Sequence, residues 1–144
     1  MSPAELYREE LHPLSRCVAV FEDDGTSAWL YLSHPDQSGM AGDAWVYNRI
    51  PAPTPEAIRS YRGGPPPAAA GFAADTAQCA NPLEYQWSFR WSADGTSLAL
   101  LRDGQPVAFI VAGDKQGYSR NLLRDGPWGL VFSDERFGQT FGAG

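Results

Sequence analysis

The chain has 144 residues, 43% of them hydrophobic and 12% aromatic, which is enough apolar material for one packed core and excludes an intrinsically disordered chain. Its formal net charge is −6, with −5 of it in residues 1–50 and −1 in residues 51–144, so nucleic acid and anionic membrane surfaces are disfavoured partners. A basic protein is the expected kind of partner, steered by the N-terminal third.

Ser2-Pro3-Ala4-Glu5 has the spacing of a capping box with proline at the first helical position, and it predicts a short helix to about Leu11, ended by His12-Pro13. The same N-terminus has neither a basic start nor an apolar run, so no secretory signal is expected. No stretch of about 18 apolar residues occurs either, and the cytoplasm is the expected compartment. Arg16 to Phe21 predicts a strand, Glu22-Asp23-Asp24-Gly25-Thr26 a tight turn, and Ser27 to Ser33 the returning strand. A polar loop over 34–42 leads to a third strand over Ala44–Ile50, where aromatic and β-branched residues concentrate.

Residues 51–82 hold most of the prolines and many small residues. Thr54-Pro55-Glu56 caps one short helix there, and Gly63-Gly64-Pro65-Pro66-Pro67 predicts a mobile surface loop. The stretch is an insertion in a single domain over 1–144 rather than a linker, because neither flank alone has the strands to close a core.

Beyond it Tyr85, Trp87, Phe89 and Trp91 alternate with polar residues, which places four aromatics on one face of a half-buried strand. Asp94-Gly95 and Asp103-Gly104 then turn the chain through strands at about 97–102 and 106–111. Ser133-Asp134-Glu135 starts a short terminal helix. The sum is an α+β fold of mainly antiparallel hairpins in one sheet or a partly closed barrel, with short helices near the termini. Asp24-Gly25-Thr26-Ser27 recurs as Asp94-Gly95-Thr96-Ser97, and turn chemistry accounts for both copies without an internal repeat.

Little of the sequence points to catalysis, and no catalytic residue, metal ligand set or cofactor motif is assigned. His12 and His34, the two histidines, lie at no ligand spacing from each other or from Cys17 and Cys79, which are expected as unpaired thiols. No nucleophile elbow or glycine-rich phosphate loop is present. The carboxylates Glu22, Asp23 and Asp24 are either a docking point for a basic partner, a site for a hard cation, or simply a solvated hairpin tip. Lys115, Tyr118, Ser119, Arg120 and Asn121 follow an apolar strand and supply the donors to hold a carboxylate or phosphate. The alternative is that Arg120 satisfies backbone carbonyls and Tyr118 packs on the core. Trp128, between Pro127 and Gly129, is either a contact residue or a plug over a barrel end.

Phe21-Glu22-Asp23-Asp24-Gly25 before an aromatic strand, with Val107-Ala108-Phe109-Ile110 followed by the 115–121 cluster, resembles a family of short bacterial proteins known only as a domain of unknown function. The likeness covers the two hairpin regions and the tail, about two thirds of the chain, and leaves out the proline-rich middle. A cysteine usually stands in that family where this chain has Ser119, so the resemblance implies no thiol role at that position. It implies a bacterial cytoplasmic setting and no established activity. Two functional expectations remain: a protein-binding module such as an immunity or inhibitor protein, and a small ligand-binding protein or enzyme holding an anionic metabolite near Tyr118, Ser119, Arg120 and Trp128.

Overall fold

A computed structural model describes residues 6–142 and shows two β-sheets packed face to face. The first is a meander of β1 (Leu6–Leu11), β2 (Val18–Asp23), β3 (Ser27–Ser33) and β4 (Met40–Asn48). The second contains β5 (Trp87–Trp91), β6 (Leu98–Arg102), β7 (Gln105–Ile110), β8 (Tyr118–Ser119) and β9 (Leu130–Val131), antiparallel except for the β8–β9 pair. The short helices are α1 (Pro55–Arg59) and α2 (Asp134–Phe141).

The predicted strands and turns of the hairpins form because alternation and turn chemistry agree. Phe21, Leu30 and Leu32 of the first sheet meet Leu98, Leu100 and Ile110 of the second in one core. Both Asp-Gly-Thr-Ser copies turn the chain with the same local chemistry in loops of different length, closed by Asp24 N–H to Ser27 O in one and Ser92 N–H to Ser97 O in the other: Gly25 (φ 93°) and Gly95 (φ 74°) take left-handed backbone, while the preceding carboxylates accept from Thr26 and Ser27 N–H and from Thr96 N–H. Both helix caps form as well, with Thr54 accepting from Ala57 N–H and Ser133 from Arg136 N–H.

Three expectations are corrected. The helix to Leu11 is not present in the described part, since residues 6–11 are β1, paired to β2 from Leu6↔Asp23 to Leu11↔Val18; Ser2 to Glu5 lie outside the described residues. Pairing the chain to an existing strand and burying Leu6 in the core outweighs a local capping preference of about 1 kcal/mol. The single sheet is in fact two, joined along one side and open along the other. The predicted mobile loop at 63–67 is also anchored: Ser27 Oγ donates to Pro65 O at 2.8 Å and Pro67 is fully buried.

The insertion thereby becomes structural. Residues 68–77 cover the outer face of β3 and β4, where Trp29 and Trp45 pack with Ala68, Ala69, Ala73, Ala77, Leu122 and Trp128 in a second core. Buried Asn48 fixes it, accepting from Trp45 Nε1 and Ala68 N–H and donating to Ala68 O. On the far side of the second sheet, α2 lays Phe137 and Phe141 against Phe109.

Candidate functional site

The way the sheets meet defines the accessible surfaces. They are stitched at β4, where Gly117 N–H donates to Asp43 O at 3.0 Å and Asn121 Nδ2 to Val46 O at 2.9 Å. At the opposite side β1 and β5 are both edge strands, and a groove of about 300 Å³ lies between them, lined by Arg8, Glu9, Glu10, Trp87, Ser88, Phe89 and Leu100. Trp91 Nε1 donates to Glu10 Oε2 at 2.5 Å across the same side. The predicted aromatic strand therefore sits on a seam: Trp87, Phe89 and Trp91 pack on the main core but are only half-buried, and Tyr85 precedes the strand.

Register sorts the carboxylates of the first hairpin. Directly paired residues share a face, so Asp23 joins Phe21 and Ala19 on the core side while Glu22 points outward opposite Tyr7 and Trp29. Asp23 is buried, accepting from Tyr47 Oη at 2.5 Å, from Arg49 Nη1 at 3.1 Å and from Gly25 N–H at 2.8 Å. Burial and the Asp23 carboxylate push the Tyr47 phenol well above its ordinary value. The three carboxylates are thus not one cluster, and the described residues contain no group of three or more potential metal ligands among His, Cys, Asp and Glu.

Outward, Glu22 belongs to a different set. Glu9, Glu22, Asp24 and Asp43 surround two tyrosines on the outer face of the first sheet. Tyr7 titrates above its usual range through burial and then the Glu9 and Glu22 charges. Tyr31 is pushed up to about 12 by burial and then by Glu22, Asp43 and Asp24. The insertion covers the β3–β4 half of this face, while Tyr7, Glu9, Leu11 and Glu22 remain exposed.

The 114–121 residues do not converge on one pocket. Lys115 is exposed. Tyr118 stacks on Phe109 with ring centroids 4.4 Å apart and donates to Asp114, which also takes a two-pronged contact from Arg136. Ser119 is buried. Arg120 lies 3.7 Å over the Phe132 ring and donates from Nε to Pro106 O at 3.0 Å, with Asp134 3.7 Å away at the surface. Trp128 is buried against Phe72 in the second core.

Asn121 alone of that set lines an open polar cleft of about 180 Å³, together with Tyr47, Gln78, Cys79, Glu84, Tyr85 and Arg102. Arg102 stacks its guanidinium 4.6 Å over the Tyr85 ring and makes no ion pair with any described residue. Burial raises the Cys79 thiol, against the opposing pull of Arg102. The sequence marks Cys79 only as an unpaired thiol and carries no signal for Gln78 or Arg102 as site residues. No local signal ties residues of an insertion to the end of a strand some twenty positions later; the parallel bridge between Asn48 and Gln78 brings them together.

No helix among the described residues is long and apolar enough to cross a membrane. Comparison of the chain with protein-family models, with curated proteins and with solved structures finds no match.

Proposed function

We propose that the chain is a protein-binding module for a basic partner, in the manner of an immunity or inhibitor protein that covers a cationic surface, and that it works in a bacterial cytoplasm. The observation that carries this reading is the uncovered half of the outer face, where Glu9 and Glu22 flank exposed Tyr7 and Leu11 and extend toward Asp24 and Asp43. An aromatic and an aliphatic side chain ringed by carboxylates supply apolar contact together with electrostatic steering of a cationic partner. The test is calorimetric titration with a short peptide of alternating lysine and valine. Binding that weakens steeply with salt and is lost in Glu9→Gln/Glu22→Gln is expected. Absence of binding at low salt contradicts the proposal.

A second reading is favoured by one observation, the open polar cleft at Arg102. There the Arg102 guanidinium, which makes no ion pair with a described residue although Glu84 lines the same cleft, and the amides of Gln78 and Asn121 supply donors for a small anionic metabolite. Thermal-shift screening against carboxylates and phosphates tests it, since a ligand well above its dissociation constant raises the melting temperature by mass action. A shift that disappears in Arg102→Gln supports this reading, and no shift with any anion removes it.

A further inference from the structure

We propose that the free edge of β1 pairs with the same edge of a second copy of this chain, giving a twofold dimer whose two first sheets run on as one. Among the described residues β1 is bonded to β2 on one side only, and an edge of this kind offers a row of backbone donors and acceptors to another strand. Two of its outward side chains are large and exposed, Tyr7 at 52% and Leu11 at 41%. Arg8 makes no ion pair with any described residue, its Nη1 donating only to the neighbouring Tyr7 O at 3.0 Å.

The sequence of the strand fixes the register. A twofold axis normal to the sheet keeps each core face on the same side, so a residue must pair with one of the same parity. Centring the axis on Arg8 would set the two arginines against each other and Leu6 against Glu10. Centring it on Glu9 instead pairs Arg8 with Glu10 of the second copy, twice, on the core side, and Tyr7 with Leu11, twice, on the outer side. Opposite charges and an aromatic–aliphatic contact placed directly across strands are both stabilising. The cost falls at the axis, where Glu9 meets Glu9, so self-association is weak and that like-charge pair limits it. The dimer does not require the proposed cationic partner, but both would use Tyr7, Glu9 and Leu11, so a dimer that covers those side chains competes with that partner.

Sedimentation equilibrium of the full chain over a wide concentration range tests it. Wild type is expected to show a concentration-dependent dimer, and Glu9→Gln to tighten it by up to about fivefold, the usual worth of removing one like-charge cross-strand pair. Leu11→Lys, or Tyr7→Lys should the former fail to fold, abolishes it. Arg8→Glu abolishes it as well, by turning both ion pairs into carboxylate pairs, and Arg8→Glu/Glu10→Arg restores it; circular dichroism checks the fold of each variant. A monomer at all concentrations in both wild type and Glu9→Gln overturns the proposal. A dimer indifferent to Leu11→Lys and Arg8→Glu does so too, because its interface must then lie elsewhere.

Discussion

Replacing Arg49 by methionine probes how the first hairpin is held together. Asp23 has a fully buried carboxylate, and the Arg49 guanidinium that faces it is itself only 10% exposed. Removing one member of such a pair leaves a charge in a low-dielectric interior and typically costs about 3–5 kcal/mol. The Tyr47 hydroxyl and the Gly25 N–H still donate to Asp23 in the variant, and methionine keeps much of the arginine stem's packing. The expected loss is therefore near the lower end, about 3 kcal/mol. Tyr47→Phe, which removes one hydrogen bond to a charged acceptor, should cost less, about 1.5–3 kcal/mol. Urea unfolding followed by tryptophan fluorescence reads both as a drop in midpoint at unchanged slope. A loss below about 1 kcal/mol for Arg49→Met would refute the reasoning, because the Asp23 carboxylate could not then depend on that guanidinium.

Phe109→Ala should cost about 3–5 kcal/mol in the same assay, because the ring is fully buried and touches Tyr118, Phe132, Phe137 and Phe141. Arg120→Lys should lower stability by about 1 kcal/mol through its lost stacking on Phe132 and its lost bond to Pro106 O, leaving affinity for the lysine–valine peptide unchanged; the opposite pattern would place Arg120 in a recognition surface. Arg136 holds the Asp114 carboxyl below its ordinary value. A depressed carboxyl contributes stability above its unfolded pKa of about 3.9 and loses it as pH falls through the lower folded value, so Arg136→Gln should lower stability by a constant amount across the neutral-to-alkaline range and converge with wild type in acid, which flattens the acid limb of the stability curve.

The hairpins were legible because their signals are local. Asp-Gly turns and period-two alternation place β3 at its observed bounds, and Thr54 and Ser133 cap helices where their side chains stand. β1 was not legible: Arg8 and Glu10 occupy its core-side positions over the open seam, so the alternation that would mark a strand is missing, and the capping-box spacing upstream suggests a helix instead. Charges at those core-side positions hide the strand from pattern reading. The insertion misled for another reason. Alanine and proline carry little hydrophobic signal, yet Pro67 is fully buried, and Ala68 and Ala69 are buried because small residues fit against the Trp29 and Trp45 rings. The donors of 115–121 are close in sequence but lie on different sides of a twisting chain, and only Asn121 reaches the polar cleft.

The most direct test of the acidic face as a binding surface is to follow backbone amide resonances while the lysine–valine peptide is added at low salt. The account predicts shifts concentrated at Tyr7, Glu9, Leu11, Val20 and Glu22 that reverse when salt is raised. Shifts centred instead on Gln78, Arg102 and Asn121, or none at saturating peptide, would contradict it.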